Sequence, residues 1–157
     1  MNLKRKPTAL KLIRGNPGRR ALNGEEPKPK LEIPPPPEWM SAEAKAEWDY
    51  VAGQLYAVGC LTGIDRGALA AYCQAYGRWV QAERALNECA KHDTASNGLI
   101  VERGAGIYQR NPLVAIANEA MKDLVRYAVE FGMTPSARSR IHAQKPEETD
   151  AASRFFT

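Results

Sequence analysis

The sequence lacks any run of about 18 apolar residues, so we expect no membrane-spanning helix. Near its N-terminus it has no apolar segment followed by a small-residue cleavage site, which predicts a cytoplasmic protein. It has few cysteines, at Cys60, Cys73 and Cys89, and we interpret them as free, packed thiols of a reducing compartment. Cys89 and His92 form a C-x-x-H pair, but the further ligands that zinc needs are not spaced to complete a site. We therefore expect no metal.

Sequence motifs for catalysis are also missing. Gly15 and Gly18 are not followed by Gly-Lys-Ser or Gly-Lys-Thr, and no strand precedes them, which argues against a phosphate-binding loop. The acidic residues of the body stand mostly singly, whereas a metal-dependent nuclease needs converging carboxylates. Neither His92 nor His142 has a plausible nucleophile in register with it. These absences favour a binding protein over an enzyme, and we expect no cofactor.

What the chain does have is an uneven distribution of charge. Its net charge is +4, but residues 1–37 carry nine Lys or Arg against three acids, and the remaining 120 residues carry 13 against 15. A basic segment joined to a slightly acidic body is typical of an arm that binds nucleic acid or an anionic surface, although a solvated tail is the alternative. The cations expected to contact DNA phosphates are Lys4, Arg5, Lys6, Lys11, Arg14, Arg19 and Arg20.

Composition divides the chain into three segments. The basic region also contains glycines and a proline series that ends in four consecutive prolines at 34–37. Proline fixes φ and removes backbone donors, so we predict a stiff polyproline spacer there. The prediction is a flexible basic arm over residues 1–40, a helical oligomerisation domain over residues 41–142 and a disordered tail over residues 143–157. In the tail, Phe155 and Phe156 form a candidate docking point.

Helical spacing organises the first part of the body. Ser41 can cap a helix that ends at Gly59. Thr62 and Asp65 have the form of a capping box for a second, longer helix, which ends near Lys91. This second helix carries an aromatic stripe, a pattern more often found in a core or a subunit interface than in a cofactor site. The residues expected at an interface between copies are Trp48, Tyr72, Tyr76, Trp79, Leu113, Ile116 and Leu124.

In the second part of the body, the local sequence signals for the start, the course and the end of each element agree best with one another. Two β-rich runs around a glycine-bearing turn predict a hairpin at residues 99–109, which must pack on the helices or on another subunit because isolated hairpins are marginal. Asn111 then caps a long helix that Gly132 ends. A short last helix would expose Arg138 and Arg140 as further DNA contacts. The fold class is therefore mainly α: a helical hairpin, a small β-hairpin and a further long helix.

Five blocks of the sequence carry a resemblance to a known family. In order they are KPTALKLIRGNPGRRALNGEEPKP, PEWMSAEAKAEWD, LTGIDRGALAAYCQAYGRW, QRNPLVAIANEAMKDL and FGMTPSARSRI. In this order they resemble the small terminase subunit of tailed bacteriophages, in its compact variety with a basic proline- and glycine-rich arm. The likeness runs from about Lys6 to Ile141, nearly the whole chain.

The resemblance implies a DNA-packaging factor that is not an enzyme. Family members form ring-shaped homo-oligomers, engage viral double-stranded DNA and deliver it to the large terminase subunit, which carries the ATPase and the nuclease. The implied partners are viral DNA, the large subunit and further copies of the chain, in the host-cell cytoplasm. Many small terminases have a separate N-terminal helix-turn-helix domain. This chain departs from them, because residues 1–40 cannot form one.

Two other functions stand as alternatives. The two helices over residues 41–91 have the order of a helix-turn-helix, so the first alternative is a dimeric DNA-binding regulator. Base reading needs Arg, Lys, Asn or Gln directed at base edges, whereas residues 69–80 offer chiefly alanine and aromatic side chains, with Gln74 and Arg78. The second alternative is a small nuclease without an evident site. The number of copies in the assembly separates a ring from a dimer.

Overall fold

The computed structural model describes residues 29–93 and 95–138. Within them the chain is mainly helical, with a two-stranded antiparallel sheet between the second and third helices. This confirms the predicted fold class of helical hairpin, β-hairpin and further long helix. The elements are α1 (Ala42–Ala57), a 3₁₀ turn (Gly63–Asp65), α2 (Arg66–His92), β1 (Ile100–Glu102), β2 (Tyr108–Arg110), α3 (Pro112–Glu130) and α4 (Pro135–Arg138).

The first helix begins and ends where its local sequence predicts. Ser41 is its N-cap, and the Ser41 hydroxyl accepts a hydrogen bond of 3.2 Å from the amide of Ala44. Trp48, Val51 and Leu55 are buried along one face, at steps of three and four residues. At the other end the amide of Val58 donates to the carbonyl of Gln54, and the chain then turns away from the helix.

The connection into α2 confirms the predicted capping box. The amide of Thr62 donates to Asp65 Oδ2 at 2.9 Å, and the Thr62 hydroxyl donates to the same oxygen at 2.6 Å. The box closes a short 3₁₀ turn that runs directly into α2. Thr62 also forms an antiparallel bridge with Leu31, so the segment before α1 is attached to the start of α2.

The proline run lies against the helices. Pro34, Pro37 and Met40 are buried. The carbonyl of Pro35 accepts a hydrogen bond of 2.9 Å from Arg66 Nε in the first turn of α2. Composition groups residues 31–40 with the arm, whereas in the structure they pack on α1 and α2. The extended backbone that proline enforces gives this segment a fixed course across the body.

The second helix is the centre of the fold, because both α1 and α3 pack along it. The most deeply buried large side chains are Trp48, Leu61, Leu69 and Cys73. Phe131, just after α3, completes this core, with Leu124 and Tyr127 packed at its edge. The fully buried residues of α3 are Ala117 and Ala120. Small side chains at these positions let α3 lie close to α2, because little volume separates the two backbones.

The hairpin is tied to both of its neighbouring helices. Asn111, the buried N-cap of α3, accepts a hydrogen bond from the amide of Leu113 at 3.0 Å and donates through Nδ2 to the carbonyl of Gly98 at 2.8 Å. Gly98 has φ +73, and a Cβ atom there would lie 2.8 Å from Cys89 Cβ on α2. Glycine is therefore required at this position for two reasons: the backbone has a positive φ, and there is no room for a Cβ atom.

The close approach of α1 to α2 occurs at Gly77. A Cβ atom at this position would lie 2.7 Å from the Ser41 hydroxyl and 3.2 Å from both the nitrogen and the Cβ of Ala44. Ala44 is completely buried. The N-cap and first turn of α1 thus occupy the space above Gly77, and any side chain there must displace them.

We expect Gly77→Ala to destabilise the protein by about 1–2 kcal/mol, because the methyl group displaces the Ser41 cap and strains the contact with Ala44. Gly67→Ala, in the first turn of the same helix, is the matched control. A Cβ atom there meets nothing within 4 Å, so the better helix propensity of alanine should stabilise by roughly 0.5–1 kcal/mol. Urea unfolding measures both changes in the free energy of unfolding, provided that its dependence on urea concentration is the same in all the proteins. A gain of stability in both variants would contradict the close approach at Gly77.

Candidate functional site

The residues predicted to bind DNA fall mostly outside the described part of the chain. Lys4, Arg5, Lys6, Lys11, Arg14, Arg19, Arg20 and Arg140 lie in segments on which the structure makes no statement. Arg138 is described: it is exposed, at the last position of α4. The DNA-binding assignment of all nine residues stays a prediction.

The charge of the described surface is close to balanced. Between residues 29 and 138 the chain carries eleven Lys or Arg and thirteen Asp or Glu, and residues 1–28 carry eight against two. Some of the cations of the body are engaged with acids. Arg84 lies 2.7 Å from Glu43, and Lys91 lies 2.6 Å from Glu88. The excess of positive charge therefore belongs to residues 1–28, ahead of the packed proline run.

The residues predicted at a subunit interface divide into two groups. Trp48 and Tyr72 are only 2% and 9% exposed, so they form the core of the single chain. Tyr76 and Trp79 are half-buried and meet edge to face, with ring centroids 6.2 Å apart. Leu113 and Leu124 are half-buried as well, whereas Ile116 is exposed. Of the predicted set, Ile116 is the side chain most available to a second copy.

One face of the β-hairpin is exposed and carries two large apolar side chains beside two charged ones. Ile100 pairs with Arg110, and Glu102 pairs with Tyr108, so these four side chains share one face of the sheet. All four are exposed, while Val101 and Gln109 on the other face are half-buried. Leu99 and Ile107, which neighbour these residues in the sequence and alternate to the other face, are also exposed. We call Leu99, Ile100, Ile107 and Tyr108 the hairpin patch.

A second exposed apolar stripe runs along α3. Val125 and Val129 are exposed, and Val114 and Met121 are half-buried along the same flank of the helix. Asn118 lies between them, so the stripe reads 114, 118, 121, 125 in alternating steps of four and three, the spacing of a helix–helix seam. Ile116 lies on the opposite flank. Apolar side chains therefore extend around more of the circumference of α3 than the part that packs against α2.

A groove of about 550 Å³ opens between the C-terminal half of α1 and the segment after α3. Its walls include Val51, Leu55, Phe131 and Met133, with Glu47 and Arg138 as charged groups; the remaining lining residues are Tyr50, Gln54, Val58, Cys60, Tyr72 and Gly132. The segments that form it are far apart in the sequence. Local patterns therefore gave no indication of a groove here.

The carboxylate of Glu47 is a partly buried charged group of this groove. Glu47 Oε1 accepts a hydrogen bond of 2.9 Å from the Tyr72 hydroxyl. Partial burial raises the pKa of Glu47, and the Tyr72 hydrogen bond offsets only part of that rise. Burial, with the Glu47 charge beside it, also raises the pKa of Tyr72. Burial raises the pKa of the Cys60 thiol as well, so this groove thiol is a weak nucleophile at neutral pH.

No cluster of three or more His, Cys, Asp or Glu residues suited to a metal ion occurs among the described residues. Cys60, Cys73 and Cys89 are free cysteines. None of the described helices is long and apolar enough to cross a membrane.

A family model described as phage terminase, small subunit, matches residues 44–148 of this chain. The match covers more than half of the sequence and includes α1, α2, the β-hairpin, α3 and α4. The chain belongs to this family. Searches of curated proteins and of solved structures gave no match.

Membership of the small terminase subunits supports a role in viral DNA packaging, and such subunits are generally packaging factors without enzymatic activity. The match begins in the first turn of α1. The basic arm and the packed proline run of this small terminase subunit therefore lie outside it.

We expect Glu47→Gln to stabilise the protein at neutral pH when all variants also carry Arg154→Gln, so that Arg154 cannot pair with the carboxylate. The pKa of Glu47 in the folded protein is raised above its ordinary value of 4.5. The free energy of unfolding therefore falls as pH rises from 4.5 through the raised pKa of the folded state. Glutamine can still accept the hydrogen bond from Tyr72 and carries no charge to desolvate. The advantage should vanish at pH values below 4.5, where the wild-type carboxyl is protonated.

Glu43→Gln, one helical turn earlier in α1, is the matched control with the opposite sign. A backbone hydrogen bond, followed by the hydrogen bond from Gln81, lowers the pKa of Glu43. Its contribution to stability is present above the ordinary carboxyl pKa and is lost as pH falls. Glu43→Gln should therefore destabilise at neutral pH and converge on the wild type in acid. Urea unfolding of the three proteins against pH measures both effects, and equal signs would contradict the assignment.

Proposed function

We propose that this chain is a non-enzymatic DNA-packaging factor that assembles into a ring, binds viral double-stranded DNA and delivers it to the large terminase subunit in the host-cell cytoplasm. The observation that carries the proposal is the small-terminase family match over residues 44–148. The large subunit would supply the ATPase and the nuclease. The oligomerisation domain in this proposal is residues 41–142, preceded by residues 1–40, whose last ten residues pack on the helices, and followed by a tail over residues 143–157.

The exposed apolar surfaces support assembly. Ile107 and Tyr108 in the hairpin patch are 63% and 69% exposed, and large apolar side chains left exposed close together on a small domain are typical of an interface. The α3 stripe, with Val125 and Val129, is a different surface. Two different patches that bind each other make a head-to-tail contact, and such contacts close into a ring when the rotation between copies allows it. In our proposal the hairpin patch of one copy contacts the α3 stripe of the next copy, which includes Val125 and Val129.

The arm supports DNA binding through its charge. Each phosphate that a Lys or Arg neutralises releases counterions, so affinity is sequence-independent and falls steeply with salt. One arm with eight cations and two acids over residues 1–28 would bind weakly. Several arms on one ring act at high effective concentration, and affinity then rises without any new contact. Assembly and DNA binding are linked in this way.

The position of α2 argues against the regulator alternative. A recognition helix must present one face to the major groove, whereas α2 is packed by α1 along one side and by α3 along another. Its exposed positions include Arg84, which is paired with Glu43. The structure thus uses the second helix as a central support for its neighbours.

We expect Ile107→Glu and Tyr108→Glu each to reduce the number of copies per assembly, because a buried unpaired carboxylate opposes association. Native mass spectrometry measures the copy number, and circular dichroism checks that the helices remain. Ile64→Glu is the control. Ile64 is also highly exposed, but it lies just before the start of α2, whereas the hairpin follows the end of α2. A helix of this length is about 40 Å long, so the control lies far from the hairpin patch. Assemblies unchanged by both hairpin variants would contradict this interface. A dimer with a short palindromic footprint would favour the regulator.

We expect replacement of Arg14, Arg19 and Arg20 by alanine to lower the slope of log affinity against log salt by about 3 per chain, since each lost phosphate contact removes roughly 0.9. Replacement of Arg103, Lys122 and Arg126, three exposed cations of the body, removes the same charge. Binding of double-stranded DNA over a salt series should change much less in this second variant. Equal effects of the two triple variants would contradict the arm assignment.

A further inference from the structure

The groove beside α1 has features of a docking site for a short apolar segment. Its volume of about 550 Å³ is within the range of sites that hold a small ligand or a few side chains. Val58 at its edge is exposed, while Leu55 and Phe131 deeper in the groove are buried. An apolar segment placed there would remove Val58, Tyr50 and Met133, the more exposed apolar side chains of the lining, from water, and such removal is the main source of favourable free energy in docking.

We propose that residues 153–156 of the same chain, with the sequence Ser-Arg-Phe-Phe, dock into this groove. Phe155 and Phe156 would lie against the apolar walls, and Arg154 would pair with the carboxylate of Glu47. This inference goes beyond the proposed function and does not depend on it. It assigns an occupant to a groove that shares only Arg138 with the predicted DNA contacts.

The course of the chain favours this occupant. Arg138 lines the groove, so the segment that begins at residue 139 starts at the groove itself. The 14 residues from 139 to 152 can span up to about 45–50 Å at roughly 3.3–3.6 Å per residue. This length is ample for a return to the other side of the groove. The entropy of closing such a loop grows only slowly with its length, and attachment keeps the segment at high effective concentration.

Charge complementarity favours it as well. Glu47 is a half-buried carboxylate on the groove lining, and Arg154 directly precedes the two phenylalanines. A guanidinium group can bind a carboxylate through two donors at once. The groove lining also carries Arg138, and the segment that follows it in the sequence carries Glu147, Glu148 and Asp150. The groove and the segment therefore each carry charges of both signs, which allows opposite charges to pair.

Cross-linking to Cys60 tests the proposal in the full chain. Cys60 lines the groove, whereas Cys89 belongs to the far half of α2. With Ser153→Cys, a short bifunctional thiol reagent should join the introduced thiol to Cys60 within one chain, and mass spectrometry of peptides locates the link. The matched control carries the same Ser153→Cys change together with Phe155→Ser and Phe156→Ser. Its link to Cys60 should fall at least five-fold.

Each other outcome overturns the proposal. Equal linkage in the control would show that proximity along the chain, and not the phenylalanines, brings the thiol to Cys60. A link mainly to Cys89 would place the segment elsewhere. Covalent dimers joined through Cys60 would show that the groove accepts the segment of a second copy. If the phenylalanines instead bind an outside partner, such as the large subunit, no link to Cys60 should exceed that of the control.

Hydrogen exchange provides a second measurement without a cross-linker. In the full chain with Phe155→Ser and Phe156→Ser, peptides covering residues 50–60 and 131–138 should exchange faster than in the wild type, because the groove loses its cover. Ala151→Ser with Ala152→Ser is the control in the same segment and should leave both peptides unchanged. Unchanged exchange in the phenylalanine variant would overturn the docking.

Discussion

The close contact between α1 and α2 at Gly77 is the constraint on which the rest of the structure depends. Because Gly77 has no side chain, the Ser41 cap and Ala44 can sit directly against α2. This approach places Trp48 in the buried core, together with residues of α2 and with Phe131, which directly follows α3. The same side of α1 then forms one wall of the groove. A wider separation of the helices would open the core and remove the groove together.

Local features could be predicted from the sequence because their interactions are local. The Ser41 cap, the Thr62 and Asp65 capping box, the hairpin and the Asn111 cap all involve residues within a few positions of one another. The exposed surfaces could not be predicted in this way. An aromatic stripe of helical spacing can pack against its own chain or against a copy, and Trp48 and Tyr72 are buried in their own chain. The groove joins α1 to the segment after α3, a pairing that no periodicity reveals.

The chain separates its physical functions along its length. The body contributes packing and exposed apolar surface, with nearly balanced charge, while the net positive charge is concentrated in residues 1–28. Such a division suits a protein that binds DNA only as an assembly, because a single arm is a weak ligand for phosphates at physiological salt. The packed proline run lies between the two, and Pro35 is attached to Arg66 at the start of α2. The arm therefore departs from a fixed point on the body.

Asn111 couples two parts of the subunit mechanically. Through one buried amide it caps α3 and holds the carbonyl of Gly98 at the base of the hairpin. The hairpin cannot pivot about α3 without breaking one of these bonds, so this side chain restricts the angle between the hairpin and the helix axis, together with the bond from the Asn111 amide to the carbonyl of Leu99. In the proposed ring the hairpin patch would therefore meet the next copy at a restricted angle. The curvature of such a ring would then depend on contacts inside each subunit as well as on the interface.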